Sequence, residues 1–464
     1  MRRVRDGMGE VEVPDEAYWG ASTRRAVDNF PISGLRFGRP MVRALGLIKG
    51  SAARAAGQAG HLDPALAEAI GRAADEVRDG RLDDQFVVDV FQTGSGTSTH
   101  TNANEVIANR AGELLGEPLG RSRVHPNDHV NFGQSSNDVF PTAMHVAIGA
   151  SLREGLVPAC RRLAGALAAQ AAALSEVVKP GRTHLMDAAP VTMGQVFGGY
   201  ATQLRKGVDR LERALLELDE LPLGGTAVGT GLNAPPGFAA AVIAEMSRAS
   251  GVAYREAEDH FEAQSARDAV VHVSGAVRTV AVSLFKIAND VRWLASGPRT
   301  GLAELQLPAL QPGSSIMPGK VNPVLPEVLM QAVARVIGAD ATVAFAGASG
   351  SFELNVMMPV MAHTLLEAIE ILANATDTFA ARCVAGLQAD VARCRALVEA
   401  NVIGVTALNP HLGYDRGAEV AKEALRTGRT VREVVLDRGW MTAEELDRWL
   451  DPLRMTRGGV MGSG

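Results

Sequence analysis

Between Val270 and Leu294 the chain places an apolar residue at every third or fourth position: Val270, Val273, Val277, Val280, Leu284, Ile287, Val291 and Leu294. Steps of 3 and 4 sustained this far lay one continuous apolar ridge along an α-helix, whereas a β-strand would scatter the same residues over both faces. A second ridge runs Tyr200, Leu204, Val208, Leu211, Leu215, Leu218, and a third Leu152, Leu156, Leu163, Leu167, Leu174. Helices of about 30 residues span about 45 Å. Short loops do not cover ridges of that length, so the pattern predicts a bundle of long helices that packs against further copies of the chain. A monomeric all-α domain is the alternative.

The ridges occupy residues 139–390, which read as the central long-helix bundle. Residues 1–138 mix short helices with Gly-rich loops, and "DGMGEVEVP" offers a short strand pair. Residues 391–464 carry two capping boxes, Thr430 with Glu433 and Thr442 with Glu445, each opening a short amphipathic helix of a small C-terminal helical domain. The 464 residues exceed the roughly 250 to 300 that one core usually serves, which fits such a division.

Charge narrows the partners. With 46 Lys and Arg against 52 Asp and Glu, and no basic run, the chain suits neither nucleic acid nor an anionic membrane. A net charge of -6 also means that an anionic substrate must be held by local donors. Cys160, Cys383 and Cys394 share no CxxC spacing, which predicts buried thiols in a reducing compartment. The start "MRRVRDGMGEVEVP" lacks an apolar leader core, and no run of about 18 apolar residues follows, so a cytoplasmic location is expected.

Four polar, Gly-rich segments interrupt the helical pattern: "TGSGTSTHTNANE" (93–105), "HPNDHVNFGQSSND" (125–138), "GRTHLMDAAP" (181–190) and "GSSIMPGKVNP" (313–323). Thr97, Ser135, Ser136, Asn137, Thr183 and Asn322 are neutral donors and Lys320 adds positive charge, a set suited to a small molecule bearing carboxylates. His184 stands at an expected helix junction, and histidine is a residue type suited to acid–base chemistry, although a lone histidine can equally be structural. "HPNDH" is the one hint of a metal, without the ligand spacing to sustain it. "TGSGTS" and "GGTAVGTGLN" follow no strand of a βαβ unit, so they read as tight turns, the first presenting backbone N–H groups to an anion.

"GSSIMPGKVNP" resembles the signature of the fumarase/aspartase superfamily, whose members cleave C–O or C–N bonds beta to a carboxylate and release fumarate. The resemblance spans nearly the whole chain, through "NFPIS", "QTGSGT", "NEVIANRA", "HPNDHVN", "QSSNDVFPTAMH", "GRTHL", "GGTAVGTGLN", "KIANDVRWLASGP", "FELNV" and "TALNPHLGYD". Within the superfamily it is most similar to class II fumarases. It implies a mainly α, three-domain fold whose long helices form a core of about 20 helices in a homotetramer of D2 symmetry. It also implies reversible hydration of fumarate to malate, a tricarboxylic acid cycle step, with neither metal nor cofactor, at sites shared by three subunits.

By the same resemblance Ser314 is the base that removes a proton alpha to a carboxylate, giving an aci-carboxylate that donors already in place must stabilise. The mobile Gly-rich loop, with its N–H groups and Lys320, would make that serine acidic enough, while Ile316 and Met317 exclude water. His184 acts through a bound water on the leaving hydroxyl, and Glu327 orients and charges its imidazole. Ser95, Thr97, Ser135, Ser136, Asn137, Thr183, Lys320 and Asn322 match the dicarboxylate-binding residues. His125, Asn127 and Asp128 match part of a second, non-catalytic anion site.

Two places depart from the common pattern. His100 and Thr101 replace "NM", which puts an extra ionisable group near the presumed site, and "NPVLPE" (322–327) replaces an "NPTQCE"-like ending. Rival readings are aspartate ammonia-lyase, lyases of larger substrates, and a catalytically silent homologue, the last disfavoured because Ser314, His184 and Lys320 all stand.

Overall fold

The computed structural model describes residues 1–461. The chain opens with the expected antiparallel pair, β1 (Arg2–Asp6) and β2 (Gly9–Val13), followed by α1 (Ala21–Asn29), α2 (Arg39–Gln58), α3 (Pro64–Arg78), α4 (Thr97–Leu114), α5 (Ser136–Ser151) and α6 (Val157–Ala173). A hairpin of β3 (Val178–Thr183) and β4 (Met186–Thr192) leads into α7 (Met193–Leu218). Then come α8 (Phe238–Ser250), α9 (His260–Ser265), α10 (Asp268–Leu294), α11 (Val324–Gly347) and α12 (Met358–Arg382). Short helices complete the chain.

The chain divides into two compact units: Met1–Pro158 with Asp209–Ala281 and Ala334–Ala373, and Ala159–Val208 with Val282–Val333 and Asn374–Gly464. In the first, α2 packs against α3, α5 and α8. It buries Met41, Val42, Leu45 and Ile48, and its many alanines and glycines let neighbouring helices approach closely. In the second, the C-terminal helices gather Val405, Leu408, Val420, Val434, Val435 and Leu446 into a small core. Both predicted capping boxes form there, at Thr430 with Glu433 and at Thr442 with Glu445.

The ridge on α10 is buried along its whole length, as its period requires. The third ridge is less regular. Leu152–Leu156 form one wide π-helical turn between α5 and α6, and Leu174 falls beyond the end of α6. Opposite the ridges, large apolar side chains stay exposed: Val282, Phe285 and Trp293 on α10, Val328, Ile337 and Phe345 on α11, and Leu216 on α7. By length and composition alone α10 and α11 would pass for membrane-crossing helices. Charged residues such as Arg278, Lys286 and Arg335 interrupt both, which is why no unbroken apolar run marks them.

Cys160, Cys383 and Cys394 are buried and unpaired, and burial pushes their thiols up to about 12, about 12 and about 11.

Candidate active site

The candidate residues fall into two groups, one in each unit. In the first, Gly96 ends a turn closed by its N–H on the Thr93 carbonyl and starts α4 with Thr97. Ser135 caps α5, its hydroxyl accepting from Asn137 N while Asp138 returns a bond from the Ser135 N–H. These two helix starts bring the hydroxyls into a chain: Ser95 Oγ lies 2.7 Å from Thr97 Oγ1, which lies 2.7 Å from Ser136 Oγ. Asn137 Nδ2 donates to the Ala227 carbonyl at 2.8 Å, which ties the "GGTAVGTGLN" turns to the same place. Buried Asp138 accepts from Gly224 N and Thr226 N, and burial raises its pKa. Neighbouring hydroxyls and helix N-terminal N–H groups offer the donors a carboxylate needs.

Gly96 sits at φ +75°, where a Cβ would come within 2.2 Å of the Phe140 ring. That ring is buried and held edge-on by Phe37 at 5.8 Å, so it has nowhere to retreat. Gly96→Ala is therefore expected to lower unfolding free energy by about 2 to 4 kcal/mol, from left-handed strain plus overpacking, as urea denaturation would read. The same strain should displace Thr97, the next residue.

His125 caps the five-residue turn Pro126–Val130, its Nδ1 accepting from Asn127 N and Asp128 N. The turn is solvent-facing at His125, Asn127 and Asp128. Among the described residues no three or more His, Cys, Asp or Glu side chains are gathered as a metal site would require.

His100 is not the free ionisable group its position suggested. It is 3% exposed, and burial together with the Lys49 charge holds its pKa well below the usual imidazole value. Its Nε2 lies 2.9 Å from Lys49 Nζ, a fully buried ammonium that also donates to Asn131 Oδ1 at 2.9 Å and Gln134 Oε1 at 3.0 Å. Burial pulls Lys49 down to about 7. Sequence reasoning missed Lys49; the signal was a lysine directly after the apolar run in "LGLIKGSAARAA".

In the second unit, Thr183 and His184 stand at the exposed tip of the β3–β4 hairpin rather than at a helix junction. The loop is two residues long, with Thr183 paired to Met186 and both His184 and Leu185 in left-handed backbone, φ 57° and 63°. Behind the tip, Glu304 is wholly buried between Lys179 Nζ (3.1 Å) and Arg182 Nη2 (2.6 Å), both on β3. These are ion pairs without well-aligned hydrogen bonds. Nothing near Glu304 in the sequence announced it.

The loop of Ser314 is stapled at its base: Gly313 N donates to the Lys320 carbonyl at 2.7 Å and Asn322 Nδ2 to the Gly313 carbonyl at 2.7 Å. A Cβ at Gly313 would lie 2.6 Å from that Lys320 oxygen, so the staple requires glycine. Inside it, Ser314 Oγ accepts from Ile316 N (3.2 Å) and Met317 N (3.0 Å). Ile316 and Met317 are exposed, 84% and 48%, and Lys320 is exposed as well. Glu327 lies in the first turn of α11, half-buried. Among the described residues no hydrogen bond or ion pair joins it to His184.

Two family patterns match the chain: one described as lyase over residues 9–338, and one described as fumarase C C-terminus over residues 405–457. The chain is 54% identical over 457 residues to a class II fumarate hydratase of Mycobacterium tuberculosis, covering 97% of this chain and 95% of that one. It is 55% identical over 460 residues to that of Halobacterium salinarum, covering 99% and 98%. The crystal structure of a class II fumarase from Schistosoma mansoni superposes with a TM-score of 0.96 at 37% identity, covering 98% of this chain and 99% of that one.

Proposed function

Because the chain belongs to the lyase family and, within it, to the class II fumarate hydratases, we propose that it catalyses the reversible hydration of fumarate to (S)-malate, a tricarboxylic acid cycle step. The observation that carries this is sequence identity above one half with class II fumarate hydratases along essentially the entire chain.

Starting from malate, Ser314 takes the proton from the carbon alpha to one carboxylate, leaving an aci-carboxylate that expels the hydroxyl; in the hydration direction the same serine returns that proton. Support for that role is the pair of backbone N–H groups directed at its Oγ, since hydrogen bonds to a developing alkoxide favour the charged form. Closure of the loop over substrate would bring Lys320 and Asn322 to a carboxylate and cover the exposed Ile316 and Met317. Ser95, Thr97, Ser135, Ser136, Asn137 and Thr183 hold the dicarboxylate, and the hydroxyl chain through Thr97 supports that assignment. His184, oriented by Glu327, works through a water on the leaving hydroxyl. His125, Asn127 and Asp128 form the second anion site, on a turn that faces solvent at all three.

The working form is a homotetramer of D2 symmetry whose sites draw segments from three subunits. The exposed apolar side chains of α7, α10 and α11 support it. A cytoplasmic setting fits the three unpaired, buried thiols.

The test follows ultraviolet absorbance of the purified protein with L-malate, and with L-aspartate in parallel. Fumarate appearing from malate alone is expected. Fumarate from aspartate alone would move the protein to the ammonia-lyases, and silence with both would sink the hydratase reading.

A further inference from the structure

We infer that Lys49 is a positioning residue for the dicarboxylate site: its ammonium ties α4, which carries Thr97, to the turn that leads into Ser135–Asn137, and His100 is the acceptor that aims it. The inference rests on reading the Ser95–Asn137 hydroxyl cluster as the place where a carboxylate binds.

An ammonium has three donors and no acceptor. All three of Lys49's are engaged, one by His100 from α4 and two by Asn131 and Gln134 from the segment just before Ser135. His100 lies one helical turn beyond Thr97, and Gln134 is the neighbour of Ser135. The two elements bound by Lys49 are thus the two whose hydroxyls meet at Thr97 and Ser136. Asn131 reinforces the tie by donating from Nδ2 to the Gln134 carbonyl at 3.1 Å. A buried charge among small apolar residues contributes little to stability by itself, so its effect is geometric.

The charge also bears on ligand binding. The groups that face Lys49 are His100 from α4 and Asp138 from α5, with His129 on the turn packed against α2. The acids that α3 and α8 bring to this region, Asp75 and Glu245, are paired with Arg54 and Arg248. Lys49 in the free protein gives up its proton near neutrality, and a dicarboxylate favours the charged form. Binding therefore takes up a proton, and affinity falls as pH rises above about 7.

The experiment is calorimetric titration of the purified protein with succinate, a four-carbon dicarboxylate with nothing to hydrate, from about pH 6 to about pH 9, alongside malate turnover. Lys49→Met should bind succinate about tenfold more weakly, the scale of one lost charge-assisted hydrogen bond, and with a flatter pH dependence. KM should rise by a similar factor with kcat changed far less. His100→Leu keeps the ammonium and two of its acceptors, so a smaller rise in KM with the pH dependence retained is expected. A folded Lys49→Met with wild-type affinity and pH dependence overturns the inference. If Lys49→Met does not fold, His100→Leu decides, and an unchanged KM overturns it. Wild-type protein that binds succinate yet leaves malate untouched refutes the hydratase reading while leaving the Lys49 comparison intact.

Discussion

Ser314→Ala is expected to abolish turnover while leaving the fold in place. Removing a positioned base lowers kcat by about 10²- to 10⁴-fold, and the remaining donors can still bind the dicarboxylate, so the loss should fall on kcat rather than KM. Stability should change by no more than about 0.5 kcal/mol, because Ser314 sits in a solvent-facing loop where water replaces the hydroxyl for the N–H groups of Ile316 and Met317. The measurement pairs malate turnover with a thermal melt. A variant that keeps most of its activity removes Ser314 from the role of base.

Glu304→Gln should do the reverse, damaging the fold first and activity as a consequence. The carboxylate is wholly buried between Lys179 and Arg182, and an amide of the same shape leaves two cations without a counter-charge. Breaking a buried pair this way is worth about 3 to 5 kcal/mol, which urea denaturation would register as a lower midpoint. Both cations lie on β3, which ends at Thr183, so the His184 tip should lose its register and kcat should fall with stability. If unfolding is unchanged, the hairpin is held by its other contacts, such as the Asn401 side-chain bond to the Ala188 carbonyl on β4.

These two residues also mark how far the sequence could be read. Periodicity exposed the ridge of α10 because each residue's place on a helix follows from its number alone. The capping boxes at Thr430 and Thr442 were legible for the same reason, since a cap is complete within four residues. The hydroxyl and amide donors stood out because Gly-rich polar segments broke an otherwise helical pattern. Lys49 and Glu304 did not, because a buried charge is explained only by partners 51 to 85 residues away for Lys49, and further still for Glu304. The hairpin bearing His184 was masked by Pro180 and Pro190, residues that argue against strands. They face each other in a two-stranded ribbon, where both strands are edges and a missing donor matters little. His100 was noted as an extra ionisable group, but its burial against Lys49, which holds its pKa well below the usual imidazole value, depends on a residue 51 positions away and could not be read from the sequence.

The tip of that ribbon has a consequence for engineering. A two-residue hairpin loop with both residues left-handed is best served by Asn–Gly, yet this chain uses His–Leu, at about 1 to 2 kcal/mol of unfavourable backbone energy per residue. Selection for heat resistance alone would favour replacing positions 184 and 185, and on the role proposed for His184 the hardier descendants would lose turnover. Any thermostabilisation campaign on this protein needs turnover as a second filter, applied to these two codons first.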